Sequence, residues 1–165
     1  MNINCFPSSL ERSASALAQI RVAVERSGLK MSALVLEVTE HEAISDHNAF
    51  AESVREFQQA GVKIAIDDFG AGHSGLNLLA QLQPDYLKLD MFLVRDIQRH
   101  GPRQAVVRGI LQTCFDLGID VIAEGVETVA EYHWCRSAGI SLYQGYLFAK
   151  PGFEALPTAA YPAPR

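Results

Sequence analysis

The chain has 165 residues, close to the usual size of one domain, and its 48% hydrophobic and 20% charged residues are an ordinary globular balance. A formal net charge of −5 argues against broad electrostatic binding to a DNA or RNA polymer, but it permits a small phosphate ligand held through cations. No apolar run is long enough to span a membrane, and the first residues do not form a signal peptide. The cysteines, Cys5, Cys114 and Cys135, lack metal-site spacing and predict reduced thiols in the cytoplasm.

Apolar strands and amphipathic helices alternate along the chain. The strands are predicted at residues 2–6, 34–38, 63–67, 86–89, 120–123 and 141–144. The helices are predicted over residues 10–27, 46–60, 76–82, 102–117 and 128–138. In the fourth helix the buried side is predicted to be Val106, Val107, Ile110, Leu111 and Phe115. From Pro151 the chain is rich in proline and alanine, which predicts one domain over residues 1–151 and an irregular tail over 152–165.

Strict alternation of strands and helices is typical of a parallel sheet covered by helices, the α/β class. In a (β/α) barrel of this class, the active site lies at the carboxyl ends of the strands. The acids of this chain fall at those ends: Glu37, Glu40, Asp67, Asp68, Asp90, Glu124 and Glu127. Without cations or a basic partner such as Lys88, that many carboxylates would repel one another severely. The pattern therefore favours a divalent metal site.

The stretch that indicates a site at a strand end most clearly is residues 62–74. Four apolar or β-branched positions there lead into Asp67 and Asp68, and a glycine-containing loop follows. Neighbouring side chains on a strand point to opposite faces, but at a strand end this rule relaxes, and both carboxylates could reach one polar site. The alternative is that one of these aspartates caps the following helix. On spacing alone the two interpretations are about equally good.

Five motifs occur in order, each at a strand end, and together they identify a family. They are Glu37-Val-Thr-Glu40, Asp67-Asp68-Phe69-Gly70-Ala71-Gly72, Leu87-Lys88-Leu89-Asp90, Glu124-Gly125-Val126-Glu127 and Gln144-Gly145-Tyr146-Leu147-Phe148. The chain thereby resembles the EAL-domain cyclic di-GMP phosphodiesterases over about residues 2–151. The resemblance implies a TIM-like barrel, divalent cations (Mg²⁺ or Mn²⁺, two per site), and hydrolysis of cyclic di-GMP to linear di-guanylate in bacterial second-messenger signalling.

The resemblance also implies roles for individual residues. Asn4, Glu37 and Asp67 would hold one ion, and Asp67 would bridge to a second ion served by Asp68 and Glu124. Lys88 would contact the attacking water or the phosphate. Site-shaping roles would fall to Asp90, Glu127 and Gln144, and Glu40 would anchor the loop after Asp68. That loop is also the place where the family resemblance implies a homodimer contact.

The loop and the front of the chain depart from the family pattern. Ala71 stands where threonine is common, and His73 stands where an aromatic residue is common; a lone loop histidine is not enough to predict a catalytic base. The signature Glu-Ala-Leu of the first barrel strand is absent ahead of Asn4. It occurs only at 154–156, in the tail, where we interpret it as coincidence. We therefore expect an incomplete barrel of about six of the eight strands. Either a longer parent was cut, or a partner chain replaces the missing part and covers the open edge, or the protein is degenerate.

Three hypotheses follow for the function. The first is a phosphodiesterase fragment that is weak or inactive alone, because one metal-ligating glutamate is missing. The second is a non-catalytic cyclic di-GMP receptor or protein-interaction module on a degenerate barrel. The third is an unrelated (β/α) metal enzyme, since fold alone does not fix function. Metal-dependent hydrolysis of cyclic di-GMP by the chain separates the first hypothesis from the second.

Overall fold

The computed structural model describes residues 1–6, 13–39, 46–71 and 75–162, in which strands and helices alternate. The strands are β1 (Asn2–Asn4), β2 (Val35–Thr39), β3 (Lys63–Phe69), β4 (Tyr86–Leu89), β5 (Asp120–Ala123) and β6 (Leu142–Tyr143). The helices are α1 (Ser13–Ser27), α2 (His47–Gln59), α3 (Gly75–Leu82), α4 (Met91–Val94), α5 (Gly101–Leu117) and α6 (Val129–Ser137). Each predicted element is present, but residues 10–12 of the first predicted helix lie outside the described residues. The short helix α4 was not predicted from the sequence. Within the described part of the chain, no helix has the length and apolar character needed to cross a membrane.

The strands form a parallel sheet in chain order, from β1 to β6. This order confirms the predicted α/β class with about six barrel strands. The chain divides into two compact units, Met1–Leu87 and Lys88–Arg165, and the division falls inside β4.

The first unit is built on three paired strands and the helix between β2 and β3. β2 pairs in parallel with β1 on one side and β3 on the other. The apolar residues of β2 and β3 other than Val35 are buried, as are Phe50 and Phe57 of α2, which are both 0% exposed. Asp46 caps α2 by accepting hydrogen bonds from the N–H groups of Asn48 and Ala49, at 2.9 and 3.1 Å. The buried strands and the capped helix hold the ends of β2 and β3 in a fixed register.

The second unit contains α5, whose buried stripe is narrower than the sequence predicts. Val107 and Cys114, two turns apart on one helix face, are buried. The prediction was wrong for Val106 and Phe115, which are 56% and 80% exposed. Each lies about 100° around the helix from its buried neighbour, because consecutive helical residues are separated by that angle. The core side of this helix is thus a single line of residues rather than a broad face.

The turn after β6 depends on Gly145, because the chain there runs against the backbone of Val126. A Cβ atom placed on Gly145 would lie 2.2 Å from the carbonyl oxygen of Val126 and 2.4 Å from its nitrogen. Both atoms are already engaged, since Val126 N–H donates to Gln144 O and Val126 O accepts from Leu147 N–H, each at 3.1 Å. A side chain at Gly145 can therefore be accommodated only by breaking this pairing.

We expect Gly145→Ala to lower the free energy of unfolding by about 3 kcal/mol, the upper end of the usual cost of overpacking. Gly109→Ala is the matched control. Gly109 lies inside α5 with no atom within 4 Å of an added Cβ, so alanine should stabilise by about 1 kcal/mol through helix propensity. Urea unfolding of both variants measures the difference. Equal midpoints for the two variants would contradict the close approach at Gly145.

The tail folds back on the end of the domain. Ala160 N–H donates to Phe148 O at 2.9 Å, and the ring of Tyr161 lies 5.6 Å from that of Phe148. Gly152 and Ala155 form an isolated antiparallel bridge. The tripeptide at 154–156 is at this bridge, outside every described strand, and Leu156 is fully exposed. It therefore does not occupy the place of a strand-borne signature.

Candidate functional site

Glu37 lies near the carboxyl end of β2, where it is only 6% exposed. In the sheet register it is the partner of Asn4 on β1 and of Ala65 on β3. Its Oε1 accepts a hydrogen bond of 2.7 Å from Nδ2 of Asn2, which sits two residues before Asn4 on the same strand face. Burying a carboxylate is costly unless it is hydrogen-bonded or paired with a cation, and this amide supplies one part of that compensation. The arrangement holds a carboxylate oxygen, the kind of atom that binds divalent cations, in a fixed position at the strand end.

Asp67 and Asp68 lie one strand further along, near the end of β3, and both are half-buried. Asp67 is the register partner of Thr39. Asp68 has φ +54°, a left-handed conformation that aspartate tolerates better than most residues, and its N–H donates to Asp67 Oδ1 at 3.0 Å. The alternation of a regular strand is interrupted at this point. The sequence predicted that Asp67 and Asp68 need not point to opposite faces at the strand end, and the left-handed backbone of Asp68 supplies the physical reason.

Lys88 and Glu124 form a buried ion pair in the second unit. Lys88 on β4 is 4% exposed, and its Nζ lies 3.0 Å from Oε1 of Glu124, the residue that follows β5. Removing both charges from water carries a large desolvation penalty, and their mutual attraction at this distance offsets part of it. The predicted basic partner for the acids is therefore in contact with one of them.

Asp90 is a helix cap in this structure. Its Oδ1 accepts a 2.7 Å hydrogen bond from Phe92 N–H at the start of α4. The loop bearing Glu124 comes close to the same helix, since a Cβ on Gly125 would lie 2.5 Å from Cβ of Met91. Gly125 also has φ +62°, which favours glycine. Asp90 therefore caps α4, while its role toward a ligand stays a prediction.

The remaining predicted site residues differ in their exposure and in their contacts. Glu127 pairs with Arg95, with 2.5 Å between a carboxylate oxygen and a guanidinium nitrogen, and both side chains are nearly half exposed. Gln144 has an exposed side chain, and its backbone N–H donates to Ala123 O at 2.8 Å. Glu40 and His73 lie outside the described residues.

Sequence reasoning missed Glu131, a carboxylate that is only 2% exposed. It is the third residue of α6 and forms a capping box with Thr128. The Thr-x-x-Glu spacing at 128–131 was the signal that could have identified it. Burial raises the pKa of this carboxyl, but backbone hydrogen bonds from Asp96, Glu127 and Thr128 outweigh that effect and bring the pKa below its usual range.

The buried cysteines are not candidate nucleophiles. Burial raises the pKa of the Cys114 thiol to about 11 and that of the Cys135 thiol to about 12. A thiol with such a pKa carries almost no thiolate near neutral pH, and the thiolate is the reactive form. Cys114 and Cys135 therefore belong to the core.

Comparison with known proteins identifies relatives over nearly the whole chain. A family model described as "EAL domain" matches residues 1–151. The blue light- and temperature-regulated antirepressor BluF of Escherichia coli is 38% identical over 98% of this chain. The cyclic di-GMP phosphodiesterase NbdA of Pseudomonas aeruginosa is 36% identical over 96%. The chain spans 40% of the length of BluF and 20% of that of NbdA.

Solved structures that are similar to this chain have the fold that the family resemblance predicts. A calcium and cyclic di-GMP complex of Klebsiella pneumoniae BlrP1 superimposes with a TM-score of 0.88 and 43% identity, covering 96% of this chain and 40% of BlrP1. A cyclic di-GMP-bound standalone EAL protein of Vibrio cholerae has a TM-score of 0.86 and 40% identity, covering 96% of this chain and 67% of that protein. This likeness confirms the expectation of an incomplete TIM-like barrel.

Proposed function

This chain belongs to the EAL domain family, and from that membership we propose that it acts on cyclic di-GMP with divalent cations held by its strand-end acids. The observation that carries the proposal is the Lys88–Glu124 pair, which joins two of the family motifs and buries a cation next to a carboxylate. The cyclic di-GMP-bound relatives support the substrate. Acting on this intracellular messenger would place the chain in the cytoplasm.

The oxygen donors suit hard divalent ions such as Mg²⁺ or Mn²⁺. Glu37, Asp67 and Asp68 are carboxylates at the ends of neighbouring strands, and Glu37 is held in place by the Asn2 amide. We assign Asn4, Glu37 and Asp67 to one ion, and Asp67, Asp68 and Glu124 to a second. Bound ions would lower the pKa of the attacking water and offset the charge of the phosphodiester. A manganese complex of BlrP1 supports this choice of metal.

The residues of the chain would perform the remaining steps. Lys88 is a buried cation, and it would stabilise the additional negative charge that develops on phosphorus as water attacks. Glu124, whose Oε1 lies 3.0 Å from Nζ of Lys88, would orient that side chain. Asp90, Glu127 and Gln144 would shape the rim around the nucleotide, and Glu40 would anchor the loop after Asp68. The reaction forms one P–O bond to water and breaks one ester bond, giving linear di-guanylate.

Lys88→Met is expected to reduce turnover about 100-fold, the usual cost of losing one preorganised charge-stabilising group. Lys63→Met is the matched control. Lys63 pairs with Asp85 at 2.6 Å, and its side chain is 45% exposed at the start of β3. Its loss should leave turnover within about twofold, as is usual for surface ion pairs. Initial rates at saturating Mn²⁺ measure both, and equal rates for Lys88→Met and wild type would contradict the assigned role.

Hydrolysis of cyclic di-GMP by the purified chain tests the proposal itself. The chain is incubated with cyclic di-GMP and Mn²⁺, and linear di-guanylate is separated by chromatography. Product that depends on Mn²⁺ and disappears with a chelator supports a phosphodiesterase. Neither binding nor hydrolysis of cyclic di-GMP, from a folded chain, would refute both this function and the alternative ligand-binding role.

A non-catalytic role is the second candidate, and the relative BluF favours it. BluF is named as an antirepressor and matches 98% of this chain, so an EAL relative of this similarity carries a regulatory name. In this alternative the chain binds cyclic di-GMP or a protein without hydrolysing the messenger. Binding measured by calorimetry, in the absence of any linear product, would select it.

The domain limits and the assembly of the chain are also proposals. We infer one partial EAL domain over residues 1–151 and a tail over 152–165. A homodimer through the loop after Asp68, or a partner covering the open edge of the barrel, would remove exposed strand edges. The mass of the chain in solution, measured by light scattering, tests for self-association.

A further inference from the structure

Glu131 is a buried carboxylate that the proposed site does not use. Its two oxygens accept three backbone hydrogen bonds. Oε2 accepts from Glu127 N–H at 3.0 Å and from Thr128 N–H at 2.9 Å, while Oε1 accepts from Asp96 N–H at 2.9 Å. A capping box needs only the bond to Thr128. The other two bonds therefore serve something beyond the start of α6.

The two oxygens of Glu131 join separate segments of the second unit. Asp96 belongs to the connection between α4 and α5, and it has the left-handed φ of +53°. Glu127 and Thr128 end the loop that begins at Glu124. The carboxylate is 2% exposed, so water does not replace these bonds readily. One side chain thus ties the loop after β5 to the connection after α4.

Two further contacts join the same segments. Arg95, next to Asp96, pairs with Glu127 at 2.5 Å. Gly125, next to Glu124, lies against Met91, which follows Asp90. The Arg95–Glu127 pair is nearly half exposed and contributes little by itself, whereas the bonds to Glu131 are buried and charge-assisted. Glu124 is held directly at one end of the loop, where its N–H donates to Leu89 O at 3.1 Å, and Glu131 adds a buried restraint at the other end.

We propose that Glu131 is a positioning residue that fixes the loop of residues 124–128 and so sets the Glu124 carboxylate against Lys88 and the bound cations. The proposal rests on the function given above only where it invokes cations. Groups that support a metal ligand typically contribute about tenfold or more to metal affinity, so the effect is measurable.

Glu131→Gln separates positioning from capping. Glutamine still forms a capping box, since its carbonyl oxygen accepts from the amides of Glu127 and Thr128. Its NH₂ group then faces the N–H of Asp96, and the donor there loses its acceptor. Asp46→Asn is the matched control, because Asp46 also accepts two backbone N–H groups at a helix start, in the first unit, and asparagine caps equally well.

Two measurements on the full chain test the proposal. In nuclear magnetic resonance, Glu131→Gln should speed hydrogen exchange at the Asp96 amide about tenfold and shift the amide signals of Glu124 and Gly125. In calorimetric titration, it should weaken Mn²⁺ binding about tenfold at a temperature where the chain is fully folded. Asp46→Asn should change neither the hydrogen exchange and amide signals of residues 96, 124 and 125 nor the Mn²⁺ affinity.

The outcomes distinguish failure of the inference from failure of the function. If Glu131→Gln changes Asp96 exchange but leaves Mn²⁺ affinity and the signals of Glu124 and Gly125 unchanged, Glu131 is only structural and the proposal is wrong. Equal loss of Mn²⁺ affinity in both variants also overturns it. If wild type binds no Mn²⁺, the metal-dependent function fails, and the signals of Glu124 and Gly125 alone then decide whether Glu131 positions the loop.

Discussion

Asp67→Asn is expected to abolish binding of divalent cations, because Asp67 is assigned to both ions. Asparagine has the same shape, and its side-chain oxygen can still accept the 3.0 Å hydrogen bond from Asp68 N–H. The substitution therefore removes a charge while the backbone of β3 keeps its local support. Two ions that lose their shared carboxylate are left under-neutralised and poorly placed.

Calorimetric titration with Mn²⁺ measures this effect, with Asp90→Asn as the comparison. Asp90 caps α4 through a bond to Phe92 N–H that asparagine can also accept, and it is not assigned as a metal ligand. We expect detectable Mn²⁺ binding in Asp90→Asn and none in Asp67→Asn. Equal binding by Asp67→Asn and wild type would refute the bridging role.

A strand carrying the Glu-Ala-Leu signature, joined ahead of Met1 with its following helix and strand, is expected to raise turnover of cyclic di-GMP by about 100-fold or more. In the family the signature glutamate is implied as a metal ligand, and a cation that lacks one carboxylate can shift. A small displacement of the attacking water is costly in rate. The added strands would also cover sheet edges.

The same extended chain with glutamine in place of the signature glutamate is the control. It restores the strands but not the ligand, so its turnover should stay near that of the 165-residue chain. If the glutamine version is equally active, the gain comes from closing the sheet rather than from the carboxylate. Full activity from the 165 residues alone would show that the added strand is dispensable.

The alternation of strands and helices could be predicted from the sequence because apolar runs and glycine stops mark them clearly. The ends of β1 and β3 could not be predicted. The strands were expected to end at residues 6 and 67, but β1 ends at Asn4 and β3 continues to Phe69 through the left-handed Asp68. The helix α4 has only four residues, too few for a periodic pattern. In α5, Val106 and Phe115 were assigned to the core because apolarity does not tell which of two adjacent residues faces inward.

The candidate site, like the fold, could be predicted from the sequence only in part. The acids at strand ends were recognisable because their spacing matches one strand and helix per motif. Lys88 could be predicted as a basic partner of these acids, but its contact with Glu124 in particular could not, since a salt bridge between distant residues has no local pattern. The capping role of Asp90 depends on a helix that the sequence did not reveal. The Thr-x-x-Glu spacing at 128–131 indicates that Glu131 caps a helix, but it does not show that the carboxylate is buried or that it also accepts from Asp96 N–H.

The left-handed conformation of Asp68 also bears on how such a domain changes during evolution. Glycine and asparagine share its tolerance of positive φ, whereas β-branched and bulky residues do not. An aspartate codon becomes an asparagine codon by one base change. If the proposed hydrolysis were lost in a lineage, the charge at this position could therefore be lost without disturbing the turn. Descendants that keep the fold as pure sensors are expected to carry asparagine or glycine there, and seldom valine or isoleucine.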